Sequence, residues 1–261
     1  MFSNKEKVIF RIPLKLKLHL FMSKFYKQKN DITFSMDEPQ DIRKGEDLPI
    51  DPLKKFLTSQ GFDTKDLNIK QFPSGYSNLT YFLSTNNNEY VLRRPPFGAD
   101  SLKGGHDMSR EYKVLSKLKA EFKKVPNVHL YTEDKSIIGA PFYIMDCVKG
   151  YIMRPNLSQE NAPDADTVSK IADSLIDTLV NLHQVDIDKS GLNDFGKIEG
   201  YVSRQVSGWT KRYFHAKTHT IPEMEFVARW LYENQPKESD KAIIHNDFKS
   251  VSYTHLRAHE T

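Results

Sequence analysis

Ala242-Ile243-Ile244-His245-Asn246-Asp247-Phe248-Lys249 decides how the rest of this chain is read. The apolar run reads as a short buried strand that delivers Asp247 into a loop, with Lys249 two positions on. A His-x-Asp-x-Lys sequence at the end of a buried strand is one way of presenting a catalytic carboxylate. What the carboxylate would act on has to come from the residues ahead of it.

The other end of that loop is set aside. Val251-Ser252-Tyr253-Thr254-His255-Leu256-Arg257-Ala258-His259-Glu260-Thr261 looks like one reading frame of a transposon-end sequencing adapter, and artefactual segments do not enter fold reasoning. Ser252 therefore says nothing about the residue a natural protein carries there. Residues 1–35 hold eight Lys and Arg against Glu6 and Asp31, which is +6 of the net +4. Residues 36–250 are left at −2, so the folded part has no basic footprint for nucleic acid. Met36 opens a more ordinary start, and residues 1–35 are expected to be a disordered or non-native basic extension.

Cys147 is the sole cysteine, which excludes an internal disulfide and a cysteine zinc site. No stretch approaches the roughly 20 apolar residues needed to cross a bilayer, because residues 8–21 are broken by Arg11, Lys15 and Lys17. The expectation is a cytoplasmic protein with no integral membrane segment and no nucleic-acid partner.

Ahead of the loop, a short helix around Leu53–Leu57 is closed by Gly61. A three-stranded meander follows at 69–72, 79–83 and 90–94, its turns marked by Pro73-Ser74-Gly75 and Asn86-Asn87-Asn88, and it ends at Pro95-Pro96. Met108, Glu111, Leu115, Leu118 and Phe122 form one helical stripe. Strands are expected at 128–131 and 142–148, then helices at 164–185, 201–214 and 225–232. Strands first and helices later point to an α+β arrangement in two lobes.

Several residues could carry chemistry. Gly75-Tyr76-Ser77-Asn78 could cradle a phosphate, since Gly allows close backbone approach, or it could be an ordinary hairpin turn. Arg93 shares a strand face with Val91 and could hold nucleotide phosphates, or be simple edge-strand charge; Arg94 points the other way, to solvent. Glu111 lies in the apolar stripe of its helix, where a charge is costly unless paired; Arg93 is the obvious partner, and a small rotation into solvent is the alternative. A nucleotide hinge would use the carbonyl of Asp146 and the N–H of Val148, although any buried strand reads the same. Cys147 and His183 read as structural residues. Tyr201 through Tyr213, with Arg204, Trp209, Lys211 and Arg212, form a basic, aromatic helix that could face an acceptor, or a solvated face with Trp209 in the core.

Taken in order, Gly75–Tyr81, Tyr90–Pro96, Arg110–Tyr112, Gly139–Met145, Leu182–Asp186 and His245–Lys249 resemble the aminoglycoside phosphotransferase superfamily of kinase-like enzymes, most closely the branch related to the kinase-like domain associated with acyl-CoA dehydrogenases. The resemblance covers about residues 36–250. It implies a bilobal protein-kinase-like fold: residues 36–147 as an N-terminal lobe of antiparallel strands with one helix, 148–250 as an incomplete helical C-terminal lobe, and 251–261 outside it. It implies ATP and Mg2+ as cofactors and a small hydroxylated molecule as substrate. Gly75, Ser77 and Asn78 would cover the phosphates; Arg93 would replace the strand lysine, paired to Glu111; Asp146 and Val148 would meet adenine. Asp247 would orient or deprotonate the acceptor hydroxyl, and Lys249 would neutralise the transferring group. Asn246 departs from the glycine of many relatives. The metal-binding Asn and the later acidic motif would lie beyond residue 250, so metal ligands are absent here and turnover by this chain is expected to be negligible. A hydroxyacyl-CoA acceptor suits the basic helix better than a polycationic aminoglycoside does. A nucleotide-binding pseudokinase or scaffold is the rival reading.

Overall fold

The computed structural model describes residues 32–35, 38–73, 78–99, 106–150, 152–155, 164–236 and 241–248. The chain divides into two compact units: one of residues 1–37, 149–175 and 247–261, the other of 38–148 and 176–246.

The second unit holds a five-stranded antiparallel sheet of β2 (Asn68–Gln71), β3 (Leu79–Ser84), β4 (Glu89–Arg94), β5 (Val128–Thr132) and β6 (Phe142–Asp146), in the order β2-β3-β4-β6-β5. The meander pairs in register, Leu79 opposite Arg94 and Ser84 opposite Glu89, across the Asn86–Asn88 turn. β6 then adds to β4, with Arg93 opposite Tyr143.

The period of two gives each face its own cover. Leu79, Tyr81, Leu83, Leu92, Phe142 and Ile144 are buried on one face against Leu53 and Leu57 of α1 (Ile50–Ser59). α3 (Lys135–Ile138) closes the same core with Ile137 and Ile138. Gly139, at φ +80°, caps α3 in the left-handed region that glycine adopts without strain and turns the chain into β6. The alternate positions Arg93 and Tyr143 face α2 (Met108–Leu118), whose first turn is capped by the Asp107 carboxylate accepting from the Arg110 N–H.

The far end of α2 enters a second core. Leu118 packs with Leu182 near the end of α4 (Ala165–His183), with Val185 and Leu192, and with Ile187 of α5 (Ile187–Ser190). Lys113 reaches Asp194 at 2.9 Å, and Lys117 donates to the carbonyl of Gly191. The expected helical stripe therefore serves two purposes: its C-terminal half fastens the helix, and its N-terminal half presents Glu111 to the sheet.

Arg94 and residues 242–244 depart from expectation. Arg94 is 2% exposed rather than solvated. It lies on the Leu92 face, which α1 and α3 cover. Its guanidinium donates to the carbonyls of Pro95 and Ile138, both at 3.0 Å, and stacks 3.8 Å over Phe97. Ala242–Ile244 is not a buried strand: Ile243 is half-buried against the second core, but Ile244 is 44% exposed and no ladder forms there. Trp209, for which core packing was one of two open readings, is 63% exposed.

In the first unit, β1 (Ile32–Ser35) pairs antiparallel with β7 (Ile152–Pro155). Composition grouped residues 32–35 with the basic extension, but Ile32-Thr33-Phe34 has the β-branched and aromatic character of a strand.

α6 (Tyr201–Ala216) and α7 (Pro222–Glu233) are amphipathic, yet neither contains a buried residue. Trp209, Phe226, Trp230 and Tyr232 are each more than half exposed. Phe226→Glu with Trp230→Glu is expected to raise the soluble yield and cut binding of a hydrophobic dye, with an unchanged thermal midpoint. A midpoint lower by several degrees would show the face to be packed in solution.

Candidate active site

The site is built around Glu111. The helical stripe directs its carboxylate to the sheet face where Arg93 of β4 and Tyr143 of β6 stand opposite each other. Arg93 Nε lies 3.2 Å from Glu111 Oε2, with both side chains about 30% exposed. The contact is charge against charge: Nε is buried and not aligned as a hydrogen-bond donor. Tyr143 donates its hydroxyl proton to the same Oε2 at 2.8 Å, and Asn78 Nδ2 donates to Oε1 at 2.7 Å.

Electrostatics keep these roles fixed. Burial pushes the Tyr143 phenol far above its ordinary value, with a smaller opposing pull from Arg93 and a further push from Glu111. It therefore stays protonated, and a donor, throughout the working pH range. The Glu111 carboxylate accepts from two neutral groups and faces one cation.

The strand that follows ends in a second polar cluster. Asp146 accepts from His129 Nε2 at 2.6 Å and from the Asn127 backbone N–H at 3.1 Å. Burial alone would raise the Asp146 pKa, but the His129 and Asn127 hydrogen bonds outweigh it and hold it below the ordinary 3.8. A depressed carboxylate stabilises the fold above its unfolded-state pKa and loses that contribution as pH falls through the folded value. The urea midpoint of wild type should therefore exceed that of Asp146→Asn above the ordinary carboxylate value of 3.8, and the gap should close as pH falls through the lowered folded-state value. A gap that persists at the acid end would assign the effect to packing. Val148, the other expected hinge residue, is 44% exposed.

The remaining expected residues are placed as follows. Gly75, Ser77 and Lys249 lie outside the described residues. Asp247 is exposed and belongs to the first unit, whereas Arg93, Glu111, Asn78 and Tyr143 belong to the second. Asn246, immediately before Asp247, has φ +55°. Only glycine and, at small cost, asparagine or aspartate take up that left-handed backbone readily, which suits Asn at this position. Sequence reasoning passed over Tyr143 and His106. Tyr143 was recoverable, because its place on the strand next to Arg93 fixes its face once β4–β6 pairing is known.

The arrangement presents a cation on a strand, locked by a glutamate on the adjoining helix, which suits electrostatic stabilisation of a phosphate. Comparison with known proteins agrees. Residues 68–251 match the model of the phosphotransferase enzyme family APH. The chain is 40% identical over 185 residues to acyl-CoA dehydrogenase family member 11 of Gallus gallus, covering 70% of this chain and 23% of that protein. It is 34% identical over 211 residues to family member 10 of Mus musculus, covering 80% of this chain and 19% of that one. The chain thus spans about a quarter or less of the length of these relatives. Among solved structures, a Ralstonia eutropha JMP134 protein classed by inference as an aminoglycoside phosphotransferase superposes with a TM-score of 0.68 at 30% identity, covering 81% of this chain and 62% of that one. With its antiparallel five-stranded sheet, its strand arginine and its helix glutamate, this chain belongs to the phosphotransferase enzyme family of kinase-like fold.

Proposed function

We propose that this chain carries the nucleotide-binding and catalytic-loop portion of an ATP-dependent small-molecule kinase, whose acceptor is the hydroxyl of a hydroxyacyl thioester of coenzyme A. The observation that carries the reading is the Arg93–Glu111 pair at 3.2 Å, with Glu111 held on both oxygens. A guanidinium partly exposed beside a fixed carboxylate fits the phosphates of a nucleotide, and ATP would supply the transferable γ-phosphoryl group. Gly75 and Ser77 would cover those phosphates, and the backbone at Asp146 and Val148 would meet the base.

Asp247 takes the proton of the acceptor hydroxyl as its oxygen forms the new bond to phosphorus. The bond from phosphorus to the β–γ bridging oxygen breaks, and Lys249 offsets the charge spread over the transferring group. Positioning and fixed charge supply the rate, because the protein makes no covalent bond of its own. Among the described residues no cluster of three His, Cys, Asp or Glu is arranged to hold a metal ion. Mg2+ accompanying the nucleotide would offset the charge on its phosphates.

The acceptor class draws on two features. The relatives bear the names of acyl-CoA dehydrogenases. α6 is basic and aromatic, with Arg212 stacked 4.7 Å over Trp209. Arg204 is spent on the carbonyls of Lys197 and Glu199 and is not available to a ligand. The test has two stages: thermal shift with ATP against adenosine, then transfer of labelled γ-phosphate to hydroxyacyl-CoA by the full-length protein, with the non-hydroxylated acyl-CoA as control. A shift with ATP and label in the hydroxylated thioester alone supports the reading. Absence of any ATP-dependent shift at millimolar concentration overturns it.

A further inference from the structure

Asn78, immediately before β3, is 4% exposed and its side chain is already engaged. Its Nδ2 donates to Glu111 Oε1 at 2.7 Å, and its Oδ1 lies 2.9 Å from His106 Nδ1. The direction of each bond follows from the groups themselves. A carboxylate only accepts, so the amide nitrogen must face Glu111; the amide oxygen then faces His106 and also only accepts, so Nδ1 must carry the proton. Tyr143 holds the other carboxylate oxygen at 2.8 Å. Four segments meet in this chain of bonds: the residue before β3, the residue before the α2 cap, α2 itself and β6.

We infer that Asn78, oriented by His106, is a positioning residue that fixes the Glu111 carboxylate against Arg93, and is not a phosphate ligand. Every polar atom of its amide that could reach a nucleotide is turned inward. The start of β3 is thereby tied to α2, and the carboxylate that faces the guanidinium is held on both oxygens. The effect on ATP rests on the kinase reading above; the effect on Arg93 does not.

The test separates the two. The 1H–15N correlation of Arg93 Nε, assigned by its loss in Arg93→Lys, is expected to stand apart from the exposed arginines in wild type. Asn78→Ala and His106→Ala should return it to their envelope, whereas His106→Gln, which keeps a donor, should retain it. In parallel, Asn78→Ala should weaken ATP binding about tenfold, the worth of a hydrogen bond to a charged group, and leave adenosine binding within about twofold. An unchanged Arg93 resonance in Asn78→Ala, or equal losses for ATP and adenosine, would overturn the proposal. If Asn78→Ala does not fold, the His106→Ala and His106→Gln pair decides by the same resonance. Should wild type bind no ATP, the kinase reading falls and the resonance alone judges the positioning role.

Discussion

Replacing Asp247 by Ala is expected to cut phosphoryl transfer by the full-length protein about 10^3-fold, the range of a lost general base, while ATP affinity stays within about twofold. The separation follows from its assigned task. In the proposed mechanism Asp247 serves the acceptor hydroxyl and carries no part of the phosphate clamp. Single-turnover transfer measured beside calorimetric ATP binding checks both halves. If binding collapses together with transfer, Asp247 is holding the loop and not acting on the substrate.

Arg93→Ala should produce the complementary pattern, with ATP affinity lowered about 10- to 100-fold through loss of a charge-assisted contact. The fold should survive, because Glu111 keeps its bonds from Asn78 and Tyr143 once the cation is gone. Arg93→Lys should recover only part of the loss: the charge returns, but the planar fork does not, and the shorter ammonium must choose between Glu111 and phosphate. Calorimetry with ATP, with thermal midpoints alongside, measures the effect. A midpoint that falls as far for Arg93→Lys as for Arg93→Ala would make Arg93 a structural residue.

Much of this was readable before any fold was known. The meander is written in alternating apolar residues and in the Asn86–Asn88 turn, both of which act over a few residues and need no distant partner. Glu111 announced itself as a charge inside an apolar stripe, which physical chemistry permits only with a counter-charge nearby. Arg94 shows where such reasoning stops. Period two correctly separated it from Arg93, but which face is covered depends on α1 and α3, both remote in sequence. Ala242–Ile244 fails for a related reason: three apolar residues make a strand only where a neighbouring strand completes the ladder, and here none does.

The amino-acid order by itself determined strands β2 to β6, helices α1, α2, α4, α6 and α7, and the pairing-prone charges, because each rests on periodicity or on local backbone preference. Tertiary structure alone decided that Asn78, just ahead of β3, and Tyr143 of β6 close on Glu111, and that Arg94 is interior while Trp209 is not. Burial and hydrogen-bond partnership belong to surfaces brought together across distant segments, and no local window of residues contains that information.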